Sequence, residues 1–353
     1  MAGIDRYLQA ALENKASDLH FLSGDPVRAR IHGELGILIN EVVSVEHVSE
    51  CVFEIMDGVT KREFERHDAA DFAYDMPGVS RFRVNAFRHL NGIGAIFRAI
   101  PSKALSLEDL DMPEVVHQLC RHTQGMILVT GKTGSGKSTT LAAMIDSMNR
   151  RLKGHILTIE DPVEFVHTAK GCLISQREVG VHSESFAAAL HSALREDPDV
   201  ILVGEMRDLE TISIAVTAAE MGILVMGTLH TNGAGQTVDR IVNSFPADKQ
   251  SHIRTMISTS LRGVISQQLL PTKLKAGRVA ALEILINTPA VGNLIRQGKL
   301  DQLETAMQSG GSVGMMTMDN ALMSLVSKGQ IAGKDAYLQA NNKSKFERMK
   351  DEA

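Results

Sequence analysis

This chain of 353 residues has no tryptophan, only three tyrosines and only three cysteines. Aromatic residues make up 4% of it, and they do not alternate with basic ones in the way that stacks single-stranded bases, so no nucleic-acid partner is expected. Cys51, Cys120 and Cys172 are odd in number and widely spaced, with no C-x-x-C pair, which indicates neither a disulfide framework nor a zinc site. They read as buried thiols of a reducing compartment. Long apolar runs are missing too: no window approaches the roughly 18 continuous apolar residues of a membrane span, and Asp5 and Arg6 put charge where a signal peptide needs its apolar stretch. A cytoplasmic protein without direct membrane insertion is predicted, with any membrane contact running through a partner. Nor is there an excess of positive charge. The formal net charge of −5 argues against coating nucleic acid or anionic lipid, which needs a basic surface to release counterions. The 13 histidines include no H-E-x-x-H pattern and no His/Cys cluster at metal spacing.

What is present, 44% hydrophobic and 22% charged residues, is ordinary for a globular chain of about two domains. Seventeen methionines serve as adaptable core filler. Residues 1–100 read as a small α+β unit, with helices over 4–14, 45–56 and 61–66 and strands over 18–22, 28–39, 71–75, 80–88 and 94–100. Within 80–88, Arg81, Arg83 and Asn85 alternate with Phe82, Val84 and Ala86, so both arginines share one face, either solvated or functional. Pro101 and Pro113 bound a polar linker over 101–113. From 114 to 353, strands over 126–130, 155–159, 200–203 and 224–229 alternate with helices over 139–150, 185–196, 209–220 and 235–244. This succession implies βαβ units in a mostly parallel sheet with helices on both faces. Beyond 250 helical patterns dominate, broken by a strand over 278–286, and the tail 341–353 reads as a solvated final helix.

Between the strand 126–130 and the helix that follows stand Gly131, Lys132, Thr133, Gly134, Ser135, Gly136, Lys137 and Ser138, which fit the phosphate-loop pattern G-x-x-x-x-G-K-[ST]. Glycines let successive backbone N–H groups point into one concavity, Lys137 reaches the β- and γ-phosphates, and Ser138 offers a hydroxyl to Mg²⁺. With Thr139 these residues form the candidate ATP site. Hydrolysis further needs a group that orients or deprotonates water, commonly at the acidic end of a buried strand. Two places qualify: Glu205, which ends the apolar run 200–203, and the cluster Glu160, Asp161 and Glu164 after the strand 155–159. Many phosphate-loop enzymes carry an Asp before that Glu; here the position is Gly204. A third polar strand end is Thr228, Leu229, His230 and Thr231.

In this order the phosphate loop, acidic cluster, Glu-ended strand and Thr-Leu-His-Thr segment resemble the Walker A, Asp, Walker B and His boxes of the secretion ATPase superfamily, which powers type IV pili, type II secretion and archaeal flagella. The segments 16–20, 81–87, 175–180 and 194–208 are similar to those of PilT-type pilus retraction ATPases. The resemblance implies a RecA-like P-loop ATPase domain preceded by a PAS-like domain, in a homohexameric ring with ATP between subunits. It implies a Mg²⁺-dependent ATPase that couples hydrolysis to domain rotation and drives pilus retraction, and so twitching motility, through an inner-membrane platform protein. It also implies that Glu205 positions the attacking water, that Glu164 and His230 assist at the metal and γ-phosphate, and that Ser138, Glu164 and Glu205 surround Mg²⁺. Arg81, Arg83 and Arg98 are candidates to reach a neighbour's nucleotide, with Arg195, Arg207 and Arg240 as further ones. Pilus extension ATPases match poorly, because their four-cysteine zinc element is missing. Gly292 and Gln297 replace an Arg and a Glu of the retraction family's carboxyl-terminal segment, which leaves a paralogous accessory motor of the PilU type as an alternative. A nucleic-acid translocase and a slow nucleotide-binding regulator are the rivals from other classes.

Overall fold

The structure, a computed structural model, describes residues 2–31, 33–100, 104–274 and 277–350. The chain divides into Met1–Lys103 and Ala104–Ala353.

The first unit runs α1 (Asp5–Glu13), β1 (Asp18–Leu22), β2 (Pro26–Ile31), β3 (Glu34–Val42), α2 (Val45–Glu54), α3 (Gly58–His67), β4 (Ala69–Met76), β5 (Ser80–His89) and β6 (Gly92–Ile100). Its strands pair antiparallel in the order β3-β2-β1-β6-β5-β4. Ser44 and Asp57 cap α2 and α3 by accepting backbone N–H groups of their first turns. The period of two along β5 buries Phe82, Val84 and Ala86 in one core with Tyr7, Leu8, Val52 and Phe64 from the helices, while Arg83 points outward. The stretch 28–39 is not one strand. Gly33, at φ +90°, turns the chain back and splits it into the hairpin β2–β3.

The second unit continues α4 (Glu114–Leu119), β7 (Gly125–Thr130), α5 (Lys137–Arg151), β8 (His155–Glu160), β9 (Leu173–Glu178), α6 (Phe186–Ala193), β10 (Val200–Val203), α7 (Leu209–Glu220), β11 (Leu224–Leu229), α8 (Ala234–Asn243), α9 (Gln250–Ser260), β12 (Leu261–Pro271), β13 (Arg278–Ile286), α10 (Pro289–Gln297), α11 (Leu303–Ser309), α12 (Met318–Ser327) and α13 (Gly333–Gln339). Its sheet has the order β13-β12-β7-β11-β10-β8-β9, parallel except for β13. Strands β7, β10 and β11 are buried throughout, as central strands of a parallel sheet must be. Alternate residues of β7 feed two cores: Met126 and Leu128 pack with α6 to α9, and Ile127 and Val129 with α4 and α5. This is the α/β architecture expected from the βαβ succession.

Three expectations need correction. The region after 250 contains a second strand, β12, where a helical pattern was read, because its partner β7 lies far away in sequence. Leu107 and Met112 of the expected linker are buried in the large unit's core; Pro101, Ser102 and Lys103 lie outside the described residues. The tail is a 3-10 turn, Lys343–Met349, pinned by buried Phe346 and by Asp319, which accepts the N–H groups of Asn341 and Asn342; residues 351–353 lie outside the described residues. No helix among the described residues is long and apolar enough to cross a membrane.

Candidate functional site

The carboxyl ends of β8, β10, β11, β7 and β12 line up along one edge of the parallel sheet, where ligands of α/β sheets bind. A cavity of about 490 Å³ opens there, within the usual range for a small-molecule site. Its middle is the phosphate loop, with Thr133, Gly134, Gly136, Lys137, Ser138 and Thr139 in its lining. Gly136, at φ +90°, directly precedes α5, so the free N–H groups of that helix's first turn face the loop. A Cβ at Gly136 would lie 2.7 Å from Gln267 Nε2, and Thr140 Oγ1 donates to Gln267 Oε1 at 2.8 Å. The loop is thus seated on β12. Lys137 Nζ donates to the carbonyls of Gly131 and Lys132 at 2.9 and 3.1 Å. Burial lowers its pKa, opposed by the charges of Glu205 and Glu164.

Beside the loop, β10 delivers Glu205, whose carboxylate accepts Arg207 Nε at 2.5 Å and lies 3.0 Å from His230 Nε2 at the end of β11. Burial alone would raise its pKa. The hydrogen bond from Arg207 and the charges of His230 and Arg207 outweigh that and hold it below the usual carboxylate range. Gly204 has a steric reason to be glycine: a Cβ there would meet Ile159 O at 3.1 Å and Glu160 Cα at 3.2 Å. Its own carbonyl accepts Thr228 Oγ1 at 2.5 Å, drawing the ends of β10 and β11 together. Glu160, Asp161 and Glu164 wall the acidic end of the cavity. The Glu160 carboxyl is pushed up by burial, against hydrogen bonds from Thr158, Gln176 and the Glu164 N–H.

The cavity therefore gathers Ser138, Glu164, Glu205 and His230 beside the phosphate loop, and with them Arg207. Arg195 and Arg240 do not line it: Arg195 bonds to His191, and Arg240 is exposed near the end of α8. Arg81, Arg83 and Arg98 belong to the small unit's sheet, facing Asp75 at 3.7 Å, Asp71 at 3.9 Å and Asp18 at 2.8 Å. Asp18 is buried, so Arg98 neutralises a charge that would be costly alone. Leu269 and Arg278, which also line the cavity, were missed: Leu269 lies on β12, read as helix, while Arg278 opens β13, read as a strand but with nothing local to mark it as a site residue.

Residues 2–288 match the family described as type II/IV secretion system protein. A type IV pilus retraction ATPase, PilT of Pseudomonas aeruginosa, is 50% identical over 343 residues, covering 97% of this chain and 99% of its own. The chain belongs to this secretion ATPase family, in its PilT-type branch. A crystal structure of the pilus retraction motor PilT with bound ADP superposes with a TM-score of 0.92 at 43% identity, over 98% of each chain. The type IV pilus ATPase PilU of Pseudomonas aeruginosa is 38% identical over 96% of this chain and 88% of its own. Membership makes the protein an ATPase.

Proposed function

We propose that the protein is the ATP-hydrolysing motor of type IV pilus retraction. The observation that carries this reading is the carboxylate of Glu205, clamped between Arg207 and His230 beside a phosphate loop, in a chain 50% identical to a PilT relative and 38% identical to a PilU relative. Lys137 and the first N–H groups of α5 bind the β- and γ-phosphates. Glu205 takes hydrogen bonds from the attacking water and aligns it with the γ-phosphorus. His230 holds the carboxylate in place, and Lys137 bears on the charge that builds up as the bond to the leaving diphosphate breaks.

Ser138, Glu164 and Glu205 offer only hard oxygen donors to the cavity, a set that suits Mg²⁺ and not a thiolate- or imidazole-loving metal. Bound there, Mg²⁺ would neutralise phosphate charge.

In this reading the motor is a homohexamer that turns hydrolysis into domain rotation and acts on an inner-membrane platform protein from the cytoplasmic face. Arg81 and Arg83 act on the neighbouring subunit's nucleotide. Deleting the gene should leave cells with surplus pili that do not retract, restored by the wild-type chain and not by Glu205→Gln. Normal retraction in the deletion strain would overturn the assignment.

A further inference from the structure

Ser175, Gln176, Arg177 and Glu178 of β9 carry part of the family resemblance, yet none of them lines the nucleotide cavity. Strand β9 is the sheet's edge, paired parallel with β8 so that Gln176 stands beside Thr158 and Glu178 beside Glu160. The pleat sends Ser175 and Arg177 one way: Ser175 Oγ lies 2.8 Å from His155 Nε2, and Arg177 Nη1 donates to Glu196 at 2.8 Å. Gln176 and Glu178 go the other way and meet the segment over 160–167. Gln176 Oε1 accepts the His167 N–H at 2.7 Å, and its Nε2 donates to the Phe165 carbonyl at 2.8 Å and to Glu160 Oε1 at 3.2 Å. Glu178 Oε2 accepts the Val163 N–H at 3.1 Å.

The loop over 161–167, which presents Glu164 to the cavity, has no helix or strand of its own. Its backbone groups therefore need partners from elsewhere. A neutral amide suits the task because it gives and accepts hydrogen bonds from one planar group, and here it meets an N–H, a carbonyl and a carboxyl at once. The edge strand does not need that amide to stay in the sheet, being held by its pairing with β8 and by the bonds on its other face.

We propose that Gln176, with Glu178 beside it, is a positioning residue, a splint that fixes the loop over 161–167 and thereby sets where Glu164 stands beside the phosphate loop during hydrolysis. The inference rests on the assignment of ATP hydrolysis to this cavity. Gln176→Met keeps the side chain's length and removes its hydrogen bonds. Gln176→Glu keeps its shape, can no longer donate, and brings a second carboxyl against Glu160.

The test is amide hydrogen exchange in the full-length protein without nucleotide or metal, with kcat, KM for ATP and the Mg²⁺ concentration for half-maximal activity measured alongside. In Gln176→Met exchange of the His167 N–H should quicken by roughly tenfold or more, as expected when such a bond is lost, while the phosphate-loop peptide is unchanged; Gln176→Glu keeps an acceptor for that N–H and loses only the bonds donated by Nε2, so its effect is read in the kinetics. The half-activating Mg²⁺ concentration should rise. kcat should fall by roughly 10- to 100-fold, the scale of a misplaced group, with little change in metal-free ATP binding. If Gln176→Met does not fold, Gln176→Glu, which keeps a polar edge strand, carries the kinetic measurements, and wild-type kcat and Mg²⁺ dependence there overturn the proposal. Unchanged exchange of the His167 N–H in Gln176→Met overturns the proposal, and so does faster exchange with wild-type kcat and Mg²⁺ dependence. Failure of the assignment of hydrolysis to this cavity has a different signature, near-normal ATP affinity in Lys137→Ala, so the two failures can be told apart.

Discussion

Gly204→Asp would place at the end of β10 the carboxylate that many phosphate-loop enzymes carry there, and the geometry predicts that it weakens this protein. The new Cβ would sit 3.1 Å from Ile159 O and 3.2 Å from Glu160 Cα, both of them backbone atoms of β8. Gly204 N–H donates to Ile159 O at 2.7 Å, so the strands cannot part by a few tenths of an ångström without straining that bond. Overpacking of this kind costs about 1–3 kcal/mol. The added carboxylate would also stand beside Glu160, whose carboxyl burial already pushes up, and like charges add to the cost. In a domain of this size each kcal/mol lowers Tm by about 2–4 °C, which gives a drop of about 2–12 °C. Gly204→Ala carries the steric part without the charge and should melt between the two. Thermal unfolding of the purified variants is the assay, with hydrolysis measured at saturating ATP. A Gly204→Asp protein that melts within about 1 °C of wild type and hydrolyses at its rate would refute the reasoning, since the steric part alone should exceed that shift.

Lys137→Ala should abolish ATP binding in calorimetric titration while circular dichroism stays native, because the Lys137 head bonds only to loop carbonyls and faces a ligand site; near-normal affinity would contradict the phosphate-loop assignment. Glu205→Gln should bind ATP normally and hydrolyse it roughly 100-fold or more slowly, the scale of a lost catalytic group; a loss of only a few-fold would move that role to Glu164. Because Arg207 and His230 hold the Glu205 carboxyl below its ordinary range against burial, the acidic limb of kcat should lie below that range, and Arg207→Ala, which removes one of the two groups that oppose burial, should move it to higher pH. An unmoved limb would remove Glu205 from the titrating role. If Arg81 and Arg83 act across a subunit interface, mixing Lys137→Ala with Arg81→Ala/Arg83→Ala subunits should restore some hydrolysis, since arginines supplied in trans are worth ~10³–10⁵ in rate. Mixed rings, verified by mass, with no more activity than either parent would give these arginines a structural role beside Asp75 and Asp71.

Most of the site was legible because its residues end short apolar runs. Strands β10, β11 and β13 were read with their observed bounds, each a compact hydrophobic stretch; Glu205 follows the first after Gly204, and His230 follows the second directly. The acidic cluster and phosphate loop were found the same way. Strands β9 and β12 escaped notice for the opposite reason. In β12 the apolar pattern is broken by Ser266 and Gln267, which are buried because Gln267 holds Thr140 under the phosphate loop and Ser266 accepts the Gly233 N–H at the start of α8. In β9 it is broken by Gln176 and Glu178, which serve the acidic loop. Both strands depart from the strand pattern where their side chains support the site.

From the sequence alone came the phosphate loop, the identity and order of the acids around it, and the alternation of strands and helices that makes an α/β sheet, since each depends on residues close together along the chain. Tertiary structure alone decided that β12 lies against β7 and seats the phosphate loop, and that Glu205 is clamped between Arg207 and His230 from the next strand. It also decided that a Cβ at Gly204 would press on the backbone of β8. These are contacts between strand ends far apart in sequence, and only the packing of the sheet sets their distances and with them the charge state of Glu205.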